Sequence, residues 1–161
     1  MTDWRGNAES RAHAFAFAGE MSLTRTLGGG DDGIVFATNR NSAIKSFGYE
    51  ELFLRERDVY LRLWELEVNE TCGCHVPRLV DFSNAQWCIE MEIVQPPFVL
   101  DFAGASLDQR PDYPRDVLED WQAEKEEQYG DDWPWVQSII ASFAGMKIFL
   151  VDVKPGNITL H

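Results

Sequence analysis

Asp152, Lys154 and Asn157 stand in the run Asp152-Val153-Lys154-Pro155-Gly156-Asn157, a polar loop between two apolar stretches. Polar residues held between buried strands serve function more often than structure. A carboxylate at 152 could take a proton from a hydroxyl nucleophile. An ammonium at 154 could neutralise a transferring phosphoryl group, and the amide oxygen of Asn157 could hold a magnesium ion. That combination is the chemistry of phosphoryl transfer. Two further groups suit the same task. Lys45 follows Ala43-Ile44, and its neighbours Ile44 and Phe47 suggest a half-buried sheet in which Lys45 points toward a ligand face. A semi-buried ammonium needs an anion. The anion could be a phosphate, or it could be Glu56, which stands four residues after Leu52 and three before Val59 on the apolar stripe of a helix. An unpaired acid there would be costly. Glu56 could equally sit at the rim and pair with Arg55, Arg57 or Lys125.

A third feature is Gly28-Gly29-Gly30-Asp31-Asp32-Gly33-Ile34-Val35, which has the form G-x-G-x-x-G-x-V. Glycine lets the backbone approach anionic oxygens and aim N–H groups at them. The residues after the glycines, Ile34, Val35 and Phe36, are strand formers, so the motif reads as a hairpin rather than the helix-opening turn of a dinucleotide fold. A plain flexible hairpin tip is the competing reading, and Asp31 and Asp32 suit a phosphate cradle only if they point outward.

The elements that must position these groups follow from hydrophobic spacing. Residues 23–27, 34–38 and 42–47 read as short strands, with Asn39-Arg40-Asn41 as a tight turn. Residues 49–70 carry Leu52, Val59, Leu63 and Leu66 on one helical face. Residues 76–82 and 87–94 read as two more strands joined at Ser83-Asn84, and Val136, Ile139, Ile140 and Phe143 mark a helix over 133–143. Residues 108–132 hold ten acids against three bases, which makes this segment the expected boundary and a possible protein-binding face. The predicted class is α+β: an antiparallel five-stranded sheet with one long helix, then a reduced, mainly helical part. The expected division is an extension over 1–19, a lobe with its hinge over 20–104, and the helical part over 105–161.

Composition narrows the function. A net charge of −13 repels nucleic-acid backbones and anionic membranes. No stretch approaches the roughly 18 apolar residues of a membrane span, and the first residues lack a secretion signal. Cys72, Cys74 and Cys88 form an odd set in a chain too large to need stapling, so reduced thiols and a cytoplasmic address are expected. Cys72-Gly73-Cys74-His75 offers three metal ligands where a structural zinc site wants four, and a loop leading into the next strand is the preferred reading. Trp121, Trp133 and Trp135 lie among acids, and a helix-packing seam is preferred over a partner patch.

Taken together, G-x-G-x-x-G-x-V, Ala43-Ile44-Lys45, an acid-bearing helix and D-x-K-P-x-N, in that order, resemble the protein kinase superfamily over residues 20–160. Lys154, two positions after Asp152, is similar to the serine/threonine kinase pattern. The resemblance implies ATP and magnesium as cofactors. It implies that Gly28, Gly30, Gly33 and Val35 cover the phosphates and that Lys45 contacts them while pairing with Glu56. Asp152 becomes the catalytic base, Lys154 its partner and Asn157 a metal ligand. The strand over 88–94 leads into an adenine-binding hinge with Met91 near its back wall. The pattern departs in two places. Leu150-Val151 stand where the family has H-R, and the D-F-G aspartate is not found after Asn157; Asp101-Phe102-Ala103-Gly104 comes too early and reads as coincidence. Three readings therefore compete: an ATP-dependent phosphotransferase, a pseudokinase-type module that binds a protein without turnover, and a small α+β protein with fortuitous motifs.

Overall fold

The computed structural model describes residues 3–161. The chain opens with helix α1 (Trp4–Ala18), strands β1 (Leu23–Gly29), β2 (Gly33–Thr38) and β3 (Ser42–Phe47), and helix α2 (Glu50–Glu65). Short strands β4 (Glu70–Thr71) and β5 (Cys74–His75) follow, then β6 (Leu79–Ser83) and β7 (Cys88–Glu92). The remainder comprises β8 (Phe98–Val99), β9 (Ser106–Leu107), α3 (Arg115–Tyr129), a 3₁₀ turn (Gly130–Asp132), α4 (Trp133–Gly145), β10 (Ile148–Phe149) and β11 (Ile158–Thr159). Two units result: one takes the residues up to Glu67 with Pro77–Ile93, the other Val68–Val76 with Val94–His161.

The first unit is built on an antiparallel sheet of five strands in the order β1-β2-β3-β7-β6. Alternation along β3 sends successive side chains to opposite faces. Ile44 joins Phe36 and Cys88 against Ala12, Phe15 and Ala16 of α1, whereas Lys45 goes to the other face with Val35 and Ile89, its partners across the ladder. Every residue of β3 is buried, so the strand is covered on both faces rather than half-buried.

The reason is α1, which sequence spacing did not reveal. Its buried stripe is Ala8, Ala12, Phe15 and Ala16, and the three alanines let the helix lie close to the sheet but carry little hydrophobic contrast. Asp3 caps it, its carboxylate accepting from the Gly6 amide at 3.1 Å. Ser46 donates to the Ala8 carbonyl at 2.6 Å, and Arg11 donates to the Gln86 and Phe47 carbonyls while lying over the Trp87 ring. These side chains tie residues 3–18 to the sheet, where the sequence suggested an extension. Beneath them burial pushes the Cys88 thiol up to about 11, against the smaller opposing pulls of Ser46 and Arg11.

α2 buries Phe53, Glu56, Val59, Tyr60 and Leu63, the i, i+3, i+6, i+7, i+10 rows of one face. Glu50 and Glu51 in its first turn and Arg62 in its last suit the helix dipole. It ends at Glu65, five residues before the expected 70, and Leu66 is exposed.

In the second unit, Trp133, Val136, Ile139 and Phe143 of α4 are buried, with Phe143 against the Phe102 ring at 5.6 Å. A four-stranded sheet in the order β11-β8-β5-β4 and a β10-β9 pair complete it. Cys72 and Gly73, both with positive φ, form the two-residue turn between β4 and β5. The Cys-Gly-Cys-His run is thus a tight hairpin, its turn held by Trp135 donating to the Cys72 carbonyl at 2.7 Å. The acidic segment, expected as a boundary, is largely the helix α3. Among the described residues, no helix is long and apolar enough to cross a membrane.

Candidate functional site

The Lys45 ammonium stands 2.9 Å from Oε2 and 3.2 Å from Oε1 of Glu56, so both carboxylate oxygens face one cation. Lys45 is 6% exposed and Glu56 1% exposed. Charges removed from water this far must be paired, and this pairing decides between the partners open to Glu56. Of the other candidates, Arg57 is engaged with Asp58 and Asn84, and Lys125 with Gln128. Lys45 also lies 4.9 Å from the centre of the Phe47 ring.

Val35 is the cross-strand partner of Lys45, and Gly28 is the partner of Val35. The glycine motif, Val35 and Lys45 therefore occupy three adjacent strands at one level of the sheet. Gly30, Asp31 and Asp32 form the tip, closed by the Gly30 amide donating to the Gly33 carbonyl at 3.1 Å. Asp31 is exposed, and the Asp32 carbonyl accepts from the Gly48 amide at 3.0 Å.

The glycines differ in kind. A Cβ at Gly33 would run into the Ser46 carbonyl oxygen, so packing against β3 requires glycine there. At Gly28 and Gly30 a Cβ would meet nothing within 4 Å, and neither has positive φ. Neither space nor backbone conformation within the chain demands glycine at those two positions. Met91 lies in β7 on the Lys45 face, paired with Ala43, its sulfur accepting from the Tyr60 hydroxyl at 3.2 Å.

Asp152, Lys154 and Asn157 are gathered in the second unit, between β10 and β11. Asn157 is 5% exposed; its Nδ2 donates to the Asp152 carbonyl at 2.8 Å and to Asp152 Oδ2 at 3.1 Å. Lys154 Nζ approaches the same Oδ2 at 3.4 Å. The turn is fixed from within, since the Lys154 carbonyl accepts from the amides of Asn157 and Ile158, both at 2.9 Å. With Nδ2 committed to Asp152, the Asn157 oxygen is the atom that could meet a hard cation, and an amide oxygen beside a carboxylate is a donor set suited to magnesium. The Tyr129 hydroxyl donates to the Ile158 carbonyl at 3.2 Å, and burial raises its pKa.

No protein-family model, no curated protein and no solved structure matches this chain. The site therefore stands on its own geometry.

Asp101-Phe102-Ala103-Gly104 is a turn with a packing role. Asp101 accepts from the Ala103 amide at 3.2 Å, Asp101 and Gly104 have positive φ, and Phe102 is buried. Sequence reasoning also passed over Glu90, a buried acid in β7 that accepts from the Ser42 hydroxyl at 2.6 Å. It stands opposite Ile44, on the same face of β7 as Cys88 and Glu92, and alternation between Ile89 and Met91 was its signal.

Proposed function

We propose that this chain is an ATP-binding module of protein-kinase-like design, whose activity is transfer of the γ-phosphoryl group to a hydroxyl. The observation that carries this reading is the buried Lys45–Glu56 ion pair, one strand away from Val35 and two from Gly28. A buried pair is costly to assemble, and replacing it by apolar residues is often neutral or stabilising. Its presence behind a hairpin with two glycines that the fold does not require is accounted for if the ammonium meets phosphate oxygens and the bare backbone covers them. Met91, on the same face, would lie near the adenine.

In the second unit, Asp152 would receive the hydroxyl proton, Lys154 would neutralise transferring charge, and Asn157 would hold magnesium through its oxygen. The order G-x-G-x-x-G-x-V, Lys45, Glu56, Asp152-x-Lys154-Pro155-x-Asn157 supports the family assignment. Binding without turnover is a second reading, favoured by Leu150 and Val151, which line an apolar cavity where a kinase carries histidine and arginine. Thermal unfolding with and without millimolar Mg-ATP tests the binding. A ligand at a hundred times its Kd stabilises by about 2.7 kcal/mol, and the absence of any shift would count against the phosphate grip. Release of radiolabelled phosphate onto a hydroxyl acceptor separates transfer from binding alone.

A further inference from the structure

α3 buries no apolar side chain; its buried residue is Lys125, and its Val117 and Leu118 are exposed. A helix usually earns its place by covering an apolar face. Here the Trp121 and Tyr129 rings meet Trp133 of α4, 6.2 and 6.4 Å between centres, and a cavity of about 420 Å³ lies between α3, α4 and β10. Trp121, Ile140, Ala144, Phe149 and Leu150 supply apolar walls. Small-molecule clefts have this character, with volumes of roughly 300–1,000 Å³, mostly apolar linings and a few polar groups that fix orientation.

The charge at the cavity runs against that of the chain. The sequence has 27 acidic residues and 14 basic ones, yet no carboxylate lines this space, and its charged lining residue is Arg110. The Arg110 guanidinium is held over the Phe149 ring, 4.8 Å from its centre. A guanidinium stacked on an aromatic face keeps its in-plane N–H donors for a carboxylate, which it can bind through two parallel hydrogen bonds.

We propose that this cavity binds an amphipathic small molecule with an apolar body and one carboxylate head, the body against Trp121, Ile140 and Phe149 and the head at Arg110. The inference is independent of the nucleotide site, since none of the residues proposed to grip phosphate or magnesium lines the cavity.

Dodecanoate and uncharged dodecanol, each displacing the fluorescent probe anilinonaphthalene sulfonate from the full chain below micellar concentrations, test it. The proposal expects saturable binding of one dodecanoate per chain, with a change in tryptophan emission because Trp121 forms a wall. Arg110→Gln should weaken dodecanoate roughly tenfold, the scale of one charge-assisted hydrogen bond, and leave dodecanol unchanged. Ala144→Phe, or Ile140→Phe if the first variant does not fold, should block both ligands while the circular dichroism spectrum is preserved. Absence of saturable binding, equal loss of both ligands in Arg110→Gln, or undiminished binding in a folded cavity-filling variant would each overturn it. A chain that is dimeric in sedimentation and takes up no dodecanoate would assign the cavity to a second copy and overturn it as well.

Discussion

Replacing Lys45 by methionine removes the ammonium that sits 2.9 and 3.2 Å from a carboxylate only 1% exposed. Breaking a buried pair from one side costs about 3–5 kcal/mol, because the remaining charge stays in a poor solvent. Against a typical domain stability of about 5–15 kcal/mol, that is a large fraction. Replacing both residues by methionine removes the charge while keeping most of the volume, and such exchanges are often neutral or stabilising. The two single variants and the double variant therefore form a cycle whose expected coupling is the sum of the two single losses, about 6–10 kcal/mol in magnitude, when the double variant loses nothing. In urea unfolding followed by far-ultraviolet circular dichroism, with a slope of about 2 kcal/mol per molar, each single variant should lose about 1.5–2.5 M in midpoint. The double variant should return close to the parent. If Lys45→Met alone unfolds within about 1 kcal/mol of the parent, or the double variant is as weak as the worse single one, the burial argument is wrong.

Other consequences can be checked in the same preparations. Gly33→Ala should cost about 1–3 kcal/mol in urea unfolding, since the new methyl meets the Ser46 carbonyl across the β2–β3 ladder, whereas Gly30→Ala should leave the midpoint unchanged and weaken Mg-ATP binding. Asn157→Leu should cost about 1–3 kcal/mol, because the Asp152 carbonyl and carboxylate both lose a donor, and should abolish any magnesium dependence of nucleotide binding. Cys88 adds a pH effect. Its folded pKa of about 11 lies above the ordinary 9.0, so between pH 9 and 11 the unfolded chain holds fewer protons than the folded one and stability falls as pH rises. At 1.36 kcal/mol per unit, the loss reaches roughly 2 kcal/mol by pH 11; Cys88→Ala should remove that part of the slope, measured as the difference between the two chains.

The five-stranded sheet was legible because each strand has its own turn signal and β-branched or aromatic content, and β3 falls on the predicted residues 42–47. Glu56 was legible as an inward acid because its spacing from Val59 put it on the buried stripe of α2. α1 was hidden because its buried face is mostly alanine, which spacing arguments weigh lightly, and because the exposed Phe17 blurs the pattern. α3 was hidden for the opposite reason: a helix that buries no apolar side chain has no stripe to read, and its acids suggested a solvated linker. The hairpin at Cys72-Gly73 depends on two positive φ values, which Cys72 does not announce. Of the candidate site, spacing offered Lys45 as one of several partners for Glu56 and put Asp152, Lys154 and Asn157 in one polar loop; the Asp152–Asn157 contact and the separate roles of Gly33 and of Gly28 and Gly30 were not legible, since they depend on how the turn closes and on which strand lies against each.

Calorimetric titration of Mg-ATP into the parent chain and into the Lys45→Met/Glu56→Met double variant tests the central claim most directly, because the double variant is expected to remain folded. The phosphate-grip account predicts one saturable ATP site in the parent and none in the double variant, with both chains giving the same circular dichroism spectrum. Absence of binding in the parent, or equal affinity in the two chains, would contradict it.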